Sequence, residues 1–297
     1  MNRIESIFAQ RKTAGRPFLM PFICGGYPTV DATADVLLAL ERAGASIAEI
    51  GIPFSDPIAD GPVIAEAMHE ALKRGVTPAR VFGAVERVRA KTNLGLVAMV
   101  SVSIVQRVGA AQFVAASRLA GFDGLIVPDV PVEESEELRV QARGHGLTLS
   151  LLVAPTTPPD RARRIVAACT GFVYVLARVG ITGEAPNSRS APGSERDGRL
   201  ASTPPSASAI QPPAVDAGAL AERIALLRSM TDLPIACGFG ISTPEHVALV
   251  VGKPPLGAGA DAAIVGSALV KKMGRAGPQA VDEAEGFVRS LVHGLAR

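Results

Sequence analysis

Glu49 is where the chemistry of this chain begins. It interrupts an apolar run over residues 46–52, and Asp56 and Asp60 follow in a loop punctuated by Pro53, Pro57, Gly61 and Pro62. The run has the length and composition of a short buried strand, and the prolines and glycine mark the loop. A carboxylate inside a strand core is costly unless a partner neutralises it or the protein uses it. Taken alone, Glu49 is as well explained by a hidden arginine or amide as by proton transfer, because structural ion pairs also bury carboxylates.

A second set of candidates is made of glycines. Gly180-Ile181-Thr182-Gly183, Gly238-Phe239-Gly240 and Gly266-Ser267 each follow an apolar run late in the chain. Glycine lets backbone N–H groups approach an anion, and a helix amino end adds a favourable dipole. One such glycine is ordinarily a turn device. Three clusters at corresponding places imply a small phosphorylated substrate.

These residues need a scaffold. Ile4, Ile7 and Phe8 have helical spacing ahead of the first apolar run. Runs at 19–23, 46–52, 95–105, 125–127, 147–153, 172–177, 235–237 and 262–265 read as short strands. Helical patterns alternate with them at 31–43, 63–73, 78–91, 110–120, 133–144 and 157–168. A later helix carries Leu220, Ile224 and Leu227 on one face, and others start at Pro244 and Ser267. Asp31 is the expected cap of 31–43, and Thr157 with two prolines opens 157–168. Apolar runs without clean alternation belong to strands covered on both faces. Eight strand–helix alternations predict an α/β chain, a single (β/α)8 TIM barrel spanning 1–297, with a doubly wound sheet as the other arrangement. In such barrels active sites collect at the carboxyl ends of the strands, and phosphate sits on the loops after strands seven and eight.

Composition excludes several classes. Thirty basic residues against 28 acidic ones leave a net charge of +2, with no basic run, no tryptophan and two tyrosines, so nothing predicts nucleic-acid binding. Cys24, Cys169 and Cys237 have neither disulfide nor zinc spacing, which suits a reducing cytoplasm. The four histidines form no cluster, and no metal is expected. No apolar signal core or run of eighteen apolar residues predicts export or membrane insertion.

The stretch Glu49-Ile50-Gly51-Ile52-Pro53-Phe54-Ser55-Asp56-Pro57-Ile58-Ala59-Asp60-Gly61-Pro62 closely resembles the signature of the tryptophan synthase alpha chain family. Pro21-Phe22-Ile23, Gly124-Leu125-Ile126-Val127-Pro128-Asp129-Val130-Pro131 and Gly238-Phe239-Gly240-Ile241-Ser242 match it as well. The resemblance covers nearly the whole chain apart from 184–214 and favours the barrel. It implies cleavage of indole-3-glycerol phosphate to indole and glyceraldehyde 3-phosphate, a retro-aldol reaction. Glu49 then matches the acid/base and Asp60 the carboxylate that holds the indole N–H. Phe22, Val100, Tyr174 and Phe239 match positions lining the indole pocket or supporting Glu49. Thr182 matches a lid-loop threonine, and Gly183, Gly240, Gly266 and Ser267 match phosphate-binding positions. The resemblance further implies no cofactor in this chain and a beta-chain partner that carries pyridoxal phosphate, in an alpha2-beta2 type complex.

Departures from the family pattern are local. Val102 and Ser103 stand where tyrosine and asparagine are usual, and Ala65 where glutamine is common. Residues 184–214 hold six prolines, six serines and no aromatic residue, a composition unable to bury enough apolar surface to offset ordering. This predicts a long disordered insertion after the sixth strand, extending the lid loop. Two competing readings are an isomerase of a sugar phosphate and a non-catalytic barrel that binds a phosphorylated ligand and activates a partner. Glu49 and Asp60 in their proline-rich context argue against both.

Overall fold

The computed structural model describes residues 1–57, 60–177, 217–238 and 240–296. Its strands are β1 Phe18–Cys24, β2 Ile47–Gly51, β3 Gly95–Met99, β4 Gly124–Ile126, β5 Thr148–Ser150, β6 Leu152–Val153, β7 Val173–Leu176, β8 Ile235–Gly238 and β9 Ala262–Val265. Every pairing is parallel, in the order β5-β4-β3-β2-β1-β9-β8-β7-β6. The two outer members of that order, β5 and β6, are halves of one stretch parted at Leu151. The Leu151 N–H turns to the Cys169 Sγ at 3.3 Å rather than to a neighbouring strand. The sheet thus returns on itself as a (β/α)8 barrel with helices outside. The insertion expected at 184–214 lies outside the described residues.

Alternation along each strand builds two cores. Phe18, Met20, Ile47, Val97, Ile126, Phe172, Tyr174, Ala236, Ala262 and Ile264 point inward and form one cluster. Their neighbours, such as Leu19, Ile50, Leu96, Leu149, Val175 and Val265, point outward against the helices. Both faces are apolar because both are covered, which is why the strands carry no polar alternation. The amino-terminal helix Arg3–Thr13 is held by a capping box between Asn2 and Glu5. It lays Ile4 and Phe8 across the barrel's amino-terminal mouth, where Phe8 meets Phe18 and Phe172 at ring separations of 4.9 and 5.6 Å. That plug leaves the carboxyl ends of the strands as the open mouth.

Three sequence expectations are corrected. The third strand stops at Met99, not at 105, and Val102–Val108 is a helix. Its β-branched run reads as strand, but Ser101 caps it, and distant Asp129 accepts from the Ser101 hydroxyl at 2.6 Å and the Val102 N–H at 2.8 Å. The helix Val30–Arg42 is capped by Thr29, whose hydroxyl accepts from the Ala32 N–H, while Asp31 already lies in the first turn. The terminal helix is two, Ser267–Ala276 and Ala280–Val292, parted at Gly277-Pro278 where Gly277 has φ +53°.

Two matching clamps tie the strand starts at the closed mouth. Asp123, just before β4, accepts from Arg89 at 3.0 Å and from the Leu96 N–H of β3 at 3.0 Å. Asp261, just before β9, accepts from Arg228 at 2.6 Å and from the Ile235 N–H of β8 at 2.7 Å. The Arg89 guanidinium also donates to the Thr92 and Leu94 carbonyls. Side chains in the first pair are 18 % and 7 % exposed, against 33 % and 26 % in the second. Removing one partner of the more buried pair strands the other. Asp123→Ala is therefore expected to cost about 2–4 kcal/mol and Asp261→Ala about 1 kcal/mol in urea unfolding. Equal losses would show that burial does not set the value of these clamps.

Candidate active site

Ile47, Glu49 and Gly51 share the inner face of β2, and Glu49 stands in register between Phe22 of β1 and Val97 of β3. It is fully buried, and neither carboxyl oxygen has a hydrogen-bond partner. The internal arginine or amide that would make Glu49 structural is absent among the described residues. Burial therefore pushes its pKa well above the carboxylate range. Burial favours the protonated form of this side chain in its apolar chamber.

Aromatic rings close that chamber. A Cβ on Gly51 would lie 2.6 Å from the Phe22 ring, so the Phe22 edge fills the space glycine leaves. A Cβ on Gly238 would lie 2.8 Å from the Tyr174 Oη. Burial pushes the Tyr174 phenol upward, and the charges of Glu49, Cys237 and Asp60 push it further. Tyr174 thus lies within electrostatic reach of both carboxylates.

Asp60 follows β2, and its N–H donates to the Pro57 carbonyl at 3.0 Å. Its side chain faces a cleft shared with Ile52, Phe54, Met99, Val100 and Asp129. Burial, and next the nearby Asp129 charge, raise its pKa to about 6. Asp129 stays in place because Ser101 and the Val102 N–H bind it. Sequence reading gave Asp129 and Ser101 no role at the site. The only signal was an aspartate closing the β4 run, as Asp60 closes the loop after β2. In the same loop Asp56 is exposed, whereas Pro53 is buried.

The phosphate candidates divide. Gly240 is exposed with φ +73°, a backbone that favours glycine. Gly266 is different, with φ −117° and only an ordinary 3.5 Å contact to Phe22 for an added Cβ. Packing does not require glycine there, whereas close approach of a ligand to the backbone would. Ser267 then opens the helix Ser267–Ala276, whose amino end has no side-chain cap. Uncapped N–H groups beside a bare backbone suit an anion. Asp60, Val100, Gly240, Gly266 and Ser267 lie just beyond the carboxyl ends of strands, whereas Phe22, Glu49 and Tyr174 lie within β1, β2 and β7. Thr182, Gly183 and Phe239 lie outside the described residues. Among the described residues no group of three or more His, Cys, Asp or Glu side chains is placed to hold a metal.

Comparisons with known proteins agree with this geometry. The family described as tryptophan synthase alpha chain matches residues 8–194 and 213–293. A tryptophan synthase alpha chain from Chloroflexus aggregans is 40 % identical over 299 positions, covering 100 % of this chain and 99 % of its own. One from Halorhodospira halophila is 39 % identical, covering 94 % of this chain and 90 % of its own. Among solved structures, the tryptophan synthase alpha subunit from Legionella pneumophila superposes with a TM-score of 0.80 at 26 % identity, over 100 % of this chain and 99 % of that one. A chain of M. tuberculosis tryptophan synthase in its aminoacrylate-bound form gives 0.79 at 26 % identity, over 99 % and 100 %.

The isolation of Glu49 has a thermodynamic consequence. Its folded pKa is raised, so above the unfolded value of about 4.3 the unfolded chain releases a proton that the native state retains. Stability contributed by the neutral acid is present below that value and is lost as pH climbs toward the folded pKa. Each pH unit in this window is worth about 1.4 kcal/mol. Glu49→Gln should melt with the parent at pH 4 and several degrees above it at pH 8, followed by circular dichroism. A gap independent of pH would mean that Glu49 does not stay protonated in the fold.

Proposed function

The chain belongs to the tryptophan synthase alpha chain family, and from that premise we propose that Glu49 and Asp60 are the carboxylates with which it cleaves indole-3-glycerol phosphate to indole and glyceraldehyde 3-phosphate. The observation that carries this assignment is the contrast between them. Glu49 is buried, has no hydrogen-bond partner among the described residues and is pushed toward its protonated form by burial, whereas Asp60, with a pKa raised to about 6, is mostly ionised at neutral pH. Two carboxyls whose environments hold them in different protonation states are suited to different roles.

Protonated Glu49 gives its proton to the indole carbon that bears the glycerol chain. Positive charge then spreads to the ring nitrogen, where the Asp60 carboxylate accepts the N–H hydrogen bond and stabilises it. As the carbon–carbon bond breaks, its electrons return to the ring. The Glu49 carboxylate takes the proton of the glycerol hydroxyl that becomes the aldehyde. Glu49 ends protonated, as it began, and no net charge is left behind. Phe22, Val100 and Tyr174 line the apolar slot for the indole, the role that the family resemblance also gives Phe239, and a wet site would lower the pKa that lets Glu49 act as an acid. Gly183, Gly240, Gly266 and Ser267 hold the phosphate, and Thr182 belongs to the lid. The chemistry is proton transfer by side chains and calls on no cofactor of this chain.

Replacing Glu49 by Gln keeps the shape and removes the proton. Glu49→Gln should abolish indole release while substrate still binds. Asp60→Asn should lower turnover by about 100-fold, the loss of a few kcal/mol of charge stabilisation. Asp60 should also leave a mark on the parent's pH profile. Protonation through pH 6 removes its charge, so kcat/KM falls below that value, and Asp60→Asn should flatten this acid limb. Near-parental turnover in either variant would reject the role given to that carboxylate.

The product indole passes to a partner beta chain holding pyridoxal phosphate, in an alpha2-beta2 type complex in the cytoplasm. The face offered is the open mouth, with exposed Asp56 and the loop after Asp129. Among the described residues no helix is long and apolar enough to cross a membrane. The chain and the beta chain from the same source should co-elute on size exclusion at micromolar concentration, with faster indole release. Separate elution without activation would count against this partner.

A further inference from the structure

At the closed mouth of the barrel, away from both carboxylates of the reaction, lies a polar cleft of about 640 Å³. That is within the range of small-molecule sites. Arg3 of the plugging helix, Arg118 at the end of the helix Ala110–Ala120 and Arg143 near the end of the helix Glu136–Gly144 converge on it. All three are exposed, and none forms a hydrogen bond or ion pair with a described residue. Some surface arginines find acids, as Arg42 does with Glu285 and Arg161 with Glu133, while Arg107, Arg163 and Arg275 form no ion pair with a described residue.

Two carboxylates lie at the cleft, and the charges of Arg3 and Arg118 already act on one of them, Asp123. Asp123 is bound by Arg89 and the Leu96 N–H, and Glu5 by the Asn2 N–H. The cleft wall also carries Thr148, whose Oγ1 is buried and has no hydrogen-bond partner. Three guanidinium groups from three separate elements line one hollow, with the Asp123 charge facing two of them. Each presents a fork that matches phosphate or carboxylate oxygens. Nothing in the cleavage reaction uses them.

We propose that this cleft is a second ligand site, taking a small polyanion built of phosphate or carboxylate groups that Arg3, Arg118 and Arg143 clasp together. Such a ligand would neutralise the convergent charge, and the site would respond steeply to salt.

Calorimetric titration of the full chain tests this, with glycerol 3-phosphate saturating the active site. Inorganic tripolyphosphate and citrate serve as the two probes. One-to-one binding is expected for at least one, and which one binds tells a phosphate source from a carboxylate source. Arg118→Gln and Arg143→Gln should each weaken it about tenfold, as loss of a charge-assisted bond does. Arg107→Gln, on the helix Val102–Val108, should leave it unchanged. All three positions are exposed, so the variants should fold, which their melting curves will verify. Absence of heat with both probes, or heat unaltered in the Arg118→Gln, Arg143→Gln double variant, would overturn the proposal.

Discussion

A carboxyl group with no partner inside an apolar barrel is the constraint on which this protein is arranged. Among the described residues, neither a hydrogen-bond donor nor a cation stands beside Glu49. Its acidity is therefore set by what excludes water: Phe22 and Tyr174 on neighbouring and facing strands, and a plug of Phe8, Phe18 and Phe172 beneath. Any polar residue added to that wall would give the proton somewhere else to go. The barrel interior around it is apolar, and burial there favours the protonated carboxyl.

Asp60 shows the complementary solution. It sits in the cleft above the chamber, next to Asp129, and its pKa rises only to about 6. Asp129 is itself fixed by Ser101 and the Val102 amide. The short helix after β3 and the turn after β4 are thus tied by hydrogen bonds as well as by apolar packing, and the Asp129 charge acts on Asp60 in the loop after β2. The closed mouth uses polar groups differently. There Arg89–Asp123 and Arg228–Asp261 pin strand starts. Fixed geometry is concentrated at one mouth and titratable chemistry at the other, the usual division in barrels of this kind.

Much of this was legible in the order of residues. Strand–helix alternation, the interrupting Glu49 and the glycines after the late strands are local patterns, and local patterns survive without tertiary context. Residues 102–108 were not legible. A valine- and isoleucine-rich run following a strand looks like more strand, but Ser101 caps it as a helix and an aspartate 27 positions away binds both Ser101 and the Val102 N–H. Thr29 and Asp31 both suit a cap, and backbone conformation chose Thr29. The break at Gly277-Pro278 is a local signal as well, since glycine followed by proline punctuates a helix.

What the sequence by itself determined is the barrel, the family and the identity of the residues that could exchange protons. These depend on residue type and spacing along the chain. Only the tertiary structure decided that Glu49 has no partner and that Asp129 presses on Asp60. It also decided that packing leaves Gly266 free to be something other than glycine. Burial, pKa and unsatisfied hydrogen bonds are properties of what comes close in space, and one sequence leaves that contact list open. The same holds for Arg3, Arg118 and Arg143, whose positions in the chain give no hint that folding sets them around one cleft.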